Sequence, residues 1–162
     1  MLSMKENIHI SSEIRQFMKD LIEDSYSDFF SEFQSLLAEI EQSVESPFAE
    51  ELLNNLNLID SNINRIYYKE KLILFPFLEK IKDEIKLQEK ITSLALLVTN
   101  SQKTLEQLKN TEETFKNLLK DEFGKKGIQQ ILNKFTLTIE KWDNLILKKV
   151  NLFETLKTFS KK

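Results

Sequence analysis

Glu70 is the residue of this chain with the most chemistry open to it. It stands in the run Ile66-Tyr67-Tyr68-Lys69-Glu70-Lys71-Leu72-Ile73-Leu74-Phe75-Pro76-Phe77-Leu78-Glu79-Lys80, which is strongly apolar, helical in spacing, and interrupted by an interior proline. Such a proline removes one backbone hydrogen bond, and a half-buried carboxylate must find a partner. A chain tolerates that combination where a site, or the relic of one, is held. Tyr67 and Tyr68 in the same run, with Trp142 further along, are the polar and aromatic groups that would surround such a site.

Most other chemistries are excluded by missing residue types. Cysteine is absent, which removes disulfides and thiolate chemistry. His9 is the single histidine, so a nucleophile–imidazole pair or a phosphotransfer histidine would have to rest on it. Its place near the N-terminus reads more simply as a surface position. A carboxylate-bridged pair of metals needs Glu-x-x-His on two helices, and no such motif occurs. Haem ligation would draw on His9, Met4 or Met18, but nothing places these around one pocket, and Met18 reads as core. With two glycines, no phosphate-cradling loop is available. The expectation is a protein that is not an enzyme, with no catalytic residue, no metal ligands and no cofactor.

The charge is divided along the chain. Residues 1–60 carry 3 basic and 13 acidic side chains, a net of −10, and residues 61–162 carry 20 and 13, a net of +7. In the basic part the lysines are interleaved with acids and Arg65 is the only arginine, which argues against nucleic acid as a partner. The simpler reading is an acidic first helix lying against more basic neighbours. The longest apolar run, Leu72 to Leu78, is far too short to span a membrane. No signal-peptide core opens the chain, so a cytoplasmic location is expected and no membrane partner.

Helices must position Glu70, because Gly and Pro are scarce and apolar residues recur at steps of three and four. After a lead-in over 1–10, Ser11-Ser12-Glu13 starts a helix whose stripe runs from Ile14 through Tyr26 and Phe33 to Val44. Ser46-Pro47 reads as cap and first helical residue of a second helix, which Pro76 should kink and which fades near Lys82-Asp83-Glu84. A third helix carries a polar gap at Thr99-Asn100-Ser101-Gln102. Phe123-Gly124-Lys125-Lys126-Gly127 is a loop, and Lys148 and Lys149 interrupt the stripe of a fourth helix that ends in a Lys161-Lys162 tail. Helices over about 11–45, 47–84, 87–120 and 128–160 predict one all-α domain over 1–162, an up-down-up-down antiparallel four-helix bundle.

At Tyr67 through Glu79 the chain resembles the hemerythrin-like bundles, which handle oxygen and iron and carry a Leu-Phe-Pro on their second helix. Glu70 stands four residues before Leu74-Phe75-Pro76, at the place of that family's ligand glutamate. Leu152-Phe153 follows Asn144 and Lys148 at the spacing of a histidine, a glutamate and a second Leu-Phe pair. Ser11-x-x-Ile14-Arg15 is similar to the opening pattern with serine in place of histidine, and the gap near Thr99 falls where a third-helix histidine would stand. The resemblance implies a four-helix fold, but hydroxyls and an amide replace the imidazoles, and one carboxylate cannot hold two irons. Oxygen and iron chemistry therefore do not carry over.

Two placements of Glu70 remain. It can turn to solvent and pair with Lys71, which is the favoured expectation, or it can form a buried pair with Lys148, helped by Tyr67, Tyr68 or Asn144. The functional expectation is a protein-interaction or regulatory module with a partner not identified by the sequence. The alternative is a small-ligand binder using the vacated cavity, lined by Tyr67, Glu70, Trp142, Asn144 and Lys148.

Overall fold

A computed structural model describes residues 11–81 and 84–160. The lead-in with Met4 and His9, Lys82-Asp83, and the Lys161-Lys162 tail lie outside the described residues. Those residues form an all-α structure of four helical segments, with no strand among them. Helix α1 comprises Ser12–Asp20, a π-helical turn Leu21–Ser25, and Tyr26–Ser43. Helix α2 comprises Phe48–Lys69, a π-helical turn Glu70–Leu74, and Phe75–Glu79. Helices α3 (Glu84–Leu118) and α4 (Lys126–Ser160) are unbroken.

Local chemistry accounts for most of the ends. Ser11 caps α1, its Oγ accepting from the Ile14 N–H at 3.2 Å. The start of α2 differs from the expected Ser–Pro cap: Phe48 is the first helical residue, Pro47 stands at the cap position, and no side chain bonds the end. The helix then stops at Glu79, short of the expected fade. Pro76 falls in the first turn of Phe75–Glu79, directly after the wide turn, where its missing N–H costs least. The loop after α3 holds a short 3₁₀ turn, Lys120–Glu122. Lys126 and Gly127, expected in that loop, belong to α4 instead. Gly127 serves close approach, because a Cβ there would lie 2.8 Å from Ser43 Oγ.

The main contacts run α1–α2, α2–α3, α3–α4 and α4–α1, a closed ring around one core. Arg15 near the start of α1 donates to the Glu79 carbonyl at the end of α2, at 3.2 Å. The core is built from the predicted stripes, with Phe29, Phe33, Leu36, Leu56, Ile63, Leu108, Phe115, Phe135 and Trp142 fully enclosed. The charge division is used across α1 and α4, where Lys141 meets Asp28 at 2.9 Å and Lys134 donates to Ser35 Oγ at 2.7 Å.

Candidate functional site

Two wide turns bring the site together. Tyr26 closes the first, its N–H bonding the Leu21 carbonyl, and Glu70 opens the second, its carbonyl accepting from the Phe75 N–H. Each is an i→i+5 bond, and π turns of this kind are rare and frequent at functional positions. They change the phase of the buried stripe. Buried positions step by five from Leu21 to Tyr26, where an α-helix steps by three or four, and after Glu70 they resume at the adjacent pair Leu74 and Phe75. Tyr26 is thereby aimed into the core, and Glu70 enters it in α-helical phase, four residues after Ile66.

There they meet α3 and α4. Glu70, Tyr26, Ser101, Trp142 and Lys149 are all buried, Glu70 and Lys149 without measurable exposure. The Tyr26 hydroxyl donates to Glu70 Oε1 at 2.5 Å and accepts from Lys149 Nζ at 2.6 Å. Lys149 also donates to Ser101 Oγ at 3.1 Å, and its Nζ lies 3.1 Å from Glu70 Oε2. That last contact is a meeting of charges, since no directed hydrogen bond reaches Oε2. The Trp142 indole N–H donates to the Ser101 carbonyl at 2.9 Å. The Tyr26 and Trp142 ring centroids each stand 4.9 Å from Nζ, within cation–π range.

Burial governs the electrostatics. It pushes the Glu70 carboxyl up, and the Lys149 charge and the Tyr26 hydrogen bond only partly pull it back. Burial likewise pushes Lys149 down against the raising effect of Glu70, and with the Glu70 charge it holds the Tyr26 hydroxyl well above its ordinary value. The sign for stability follows. A carboxyl whose folded value is raised takes up its proton first in the folded state, so falling pH favours folding until the unfolded carboxyl, at 4.5, also protonates. The unfolding free energy of wild type relative to Glu70→Gln, from urea melts between neutral pH and 4.5, should therefore move in favour of wild type as the pH falls. Movement the other way would mean that Lys149 holds the carboxylate ionised more strongly than burial opposes it.

This arrangement corrects both expected placements of Glu70. The side chain does not face solvent, because it continues the buried face of α2 four residues after Ile66. Its partner is Lys149 and not Lys148. Positions 142, 145, 146, 149, 152 and 156 form the buried face of α4, and Lys148 lies off it. Lys148 is exposed and donates to Ser25 Oγ at 2.6 Å. Asn144 is exposed too, in a surface groove with Asp24, Asp28 and Lys141. Tyr67 is half-buried with its ring tilted against that of Tyr26 at 4.7 Å, Tyr68 is exposed, and the hydroxyl that serves Glu70 is that of Tyr26. Of the five residues expected around a cavity, only Glu70 and Trp142 enter the network, with Tyr67 against its edge.

Tyr26, Ser101 and Lys149 were not expected as site residues. Lys149 has a sequence signal, seven residues after Trp142 and three before Leu152, in phase with the apolar face. Tyr26 has a weaker one in the step of five from Leu21.

The donor set does not fit a di-iron centre. Glu70 is its one carboxylate, Tyr26 and Lys149 occupy its oxygens, and an ammonium repels a metal ion. Among the described residues no group of three His, Cys, Asp or Glu side chains is placed to hold a metal. Comparison with known protein families, with characterised proteins and with solved structures finds no match to this chain.

Proposed function

We propose that this chain is a non-enzymatic, hemerythrin-like up-down-up-down bundle whose di-iron site has given way to an internal ion pair, and that it acts as a protein-interaction or regulatory module. The carrying observation is that Lys149, Tyr26, Ser101 and Trp142 fill the space beside Glu70 with contacts of 2.5–3.1 Å. A small ligand has no room there, so the interaction surface is an outer one. The ring of helix contacts supports the topology, as do the joining of the α1 start to the α2 end and of the α1 end to the α4 start.

The outer surface of α2 supports the interaction reading. Tyr68, Leu72 and Ile73 are each more than half exposed, grouped around the wide turn that Glu70 opens. Grouped apolar exposure of this kind marks interaction surfaces more often than scattered single residues do.

Two measurements test the reading. Protein from an iron-supplemented culture should carry no stoichiometric iron and no absorption of an oxo-bridged iron pair, and the presence of either would overturn the loss of the site. Separately, Leu72→Lys with Ile73→Lys should abolish complexes trapped by in-cell crosslinking while leaving the melting temperature unchanged. Complexes that persist in that variant would remove α2 as the interaction surface.

A further inference from the structure

We propose that the groove between α2 and α3 is a binding site for a compact phosphorylated anion. On α2, Asn62, Arg65 and Lys69 follow one another at steps of three and four and so share a face, and on α3 Asn100, Lys103 and Gln107 do the same. The two faces enclose a groove of about 220 Å³ with Ile66 and Leu97 beneath it.

The lining has an unusual balance of charge. Three cations and three amides converge on it, and no carboxylate lines it. Grooves against α1 are different, since Glu23 and Glu79 line one and Asp24 and Asp28 another. Some other lysines on the described surface are paired with acids, as Lys109, Lys116, Lys125 and Lys141 are, and others, as Lys134 and Lys148, meet serine hydroxyls. None of Arg65, Lys69 and Lys103 has a carboxylate within ion-pairing distance among the described residues. Three unrelieved positive charges around one depression repel each other, and a dianion between them removes that cost.

Chemistry and size narrow the ligand. The planar guanidinium of Arg65 matches two oxygens of a phosphoryl group, the two ammonium groups supply point charges, and the amides supply neutral donors. Pockets for drug-sized molecules begin near about 300 Å³, so this one suits a phosphate monoester with a short carbon body over Ile66 and Leu97. The site also gives a role to the polar gap of α3. Ser101 turns inward to Lys149, while Asn100, one residue before it, lines the groove.

The test is calorimetric titration of the full chain with inorganic phosphate and with glycerol phosphate at fixed ionic strength. It is paired with sedimentation against phosphatidylcholine vesicles with and without phosphatidic acid. We expect saturable one-to-one binding of the soluble probes, weakened about tenfold or more in Arg65→Gln with Lys103→Gln, because each removes a charge-assisted contact. Both side chains are exposed, so the variant should melt as wild type does. Sedimentation with phosphatidic acid alone, abolished by the same variant, would keep the phosphoryl site and assign the group to a lipid headgroup. No saturable binding in either arm, or binding that the variant leaves unchanged, overturns the proposal.

Discussion

Replacing Lys149 by methionine should cost the fold about 3–5 kcal/mol, because it leaves the Glu70 carboxylate buried without a counter-charge. Against a stability of about 5–15 kcal/mol for a typical domain, that is a large share, and the urea midpoint should fall accordingly. Methionine keeps the length and apolar stem of the side chain, so the loss reports the charge more than a cavity. Part of it should return at low pH, where Glu70 accepts a proton and no longer needs the ammonium. The second arm is Glu70→Leu combined with Lys149→Met. Removing both charges restores an apolar core, and such replacements of buried pairs are often neutral or stabilising by about 1–4 kcal/mol. A single variant losing less than about 1 kcal/mol, the scale of an exposed pair, would show that the charges are solvated and that the packing described here is wrong.

Tyr26→Phe should be the second costly change, at about 3 kcal/mol, although it deletes one oxygen atom. That hydroxyl accepts from Lys149 and donates to Glu70, so its loss leaves two buried charged groups short of a partner, each costing about 1–3 kcal/mol. The ring still packs against Tyr67 and Trp142, which separates the hydrogen bonds from the area buried. In the Glu70→Leu, Lys149→Met background the same substitution should cost much less, because the hydroxyl then has no charge to bridge. An equal cost in both backgrounds would assign the effect of Tyr26 to packing alone.

The helices and their number were legible because burial imposes a period that sequence records directly. Ile14, Met18 and Leu21, or Ile59, Ile63 and Ile66, leave little choice. Ends were less legible, since they depend on which of several polar residues reaches a backbone group. Ser11 does, whereas beside Pro47 no side chain does. At the site, Glu70 was visible as a carboxylate among apolar residues. Its surroundings were not, for two physical reasons. A lysine pair on a helix is separated only by rotation of about 100°, and that decided between Lys148 and Lys149. Glu70 itself continues the count of Ile59, Ile63 and Ile66, but Tyr26, which meets it, comes five residues after Leu21, a step that an α-helical count passes over.

The two wide turns have a consequence for chain length. Each is one residue of surplus in a helix, and each residue of an α-helix accounts for about 100° of rotation. If a residue were deleted between 21 and 25, the step from Leu21 to Tyr26 would fall to the four of an ordinary α-helix, and Ile14 and Met18 would keep their place on the core face. The same deletion between 70 and 74 would leave Phe75 four residues after Glu70, again on the buried face. Tyr26 and Glu70 thus stand at two seams that each absorb one residue without disturbing the helix on either side. A one-residue gap at either seam in a related sequence would be compatible with the ion pair wherever Tyr26, Glu70 and Lys149 are all retained.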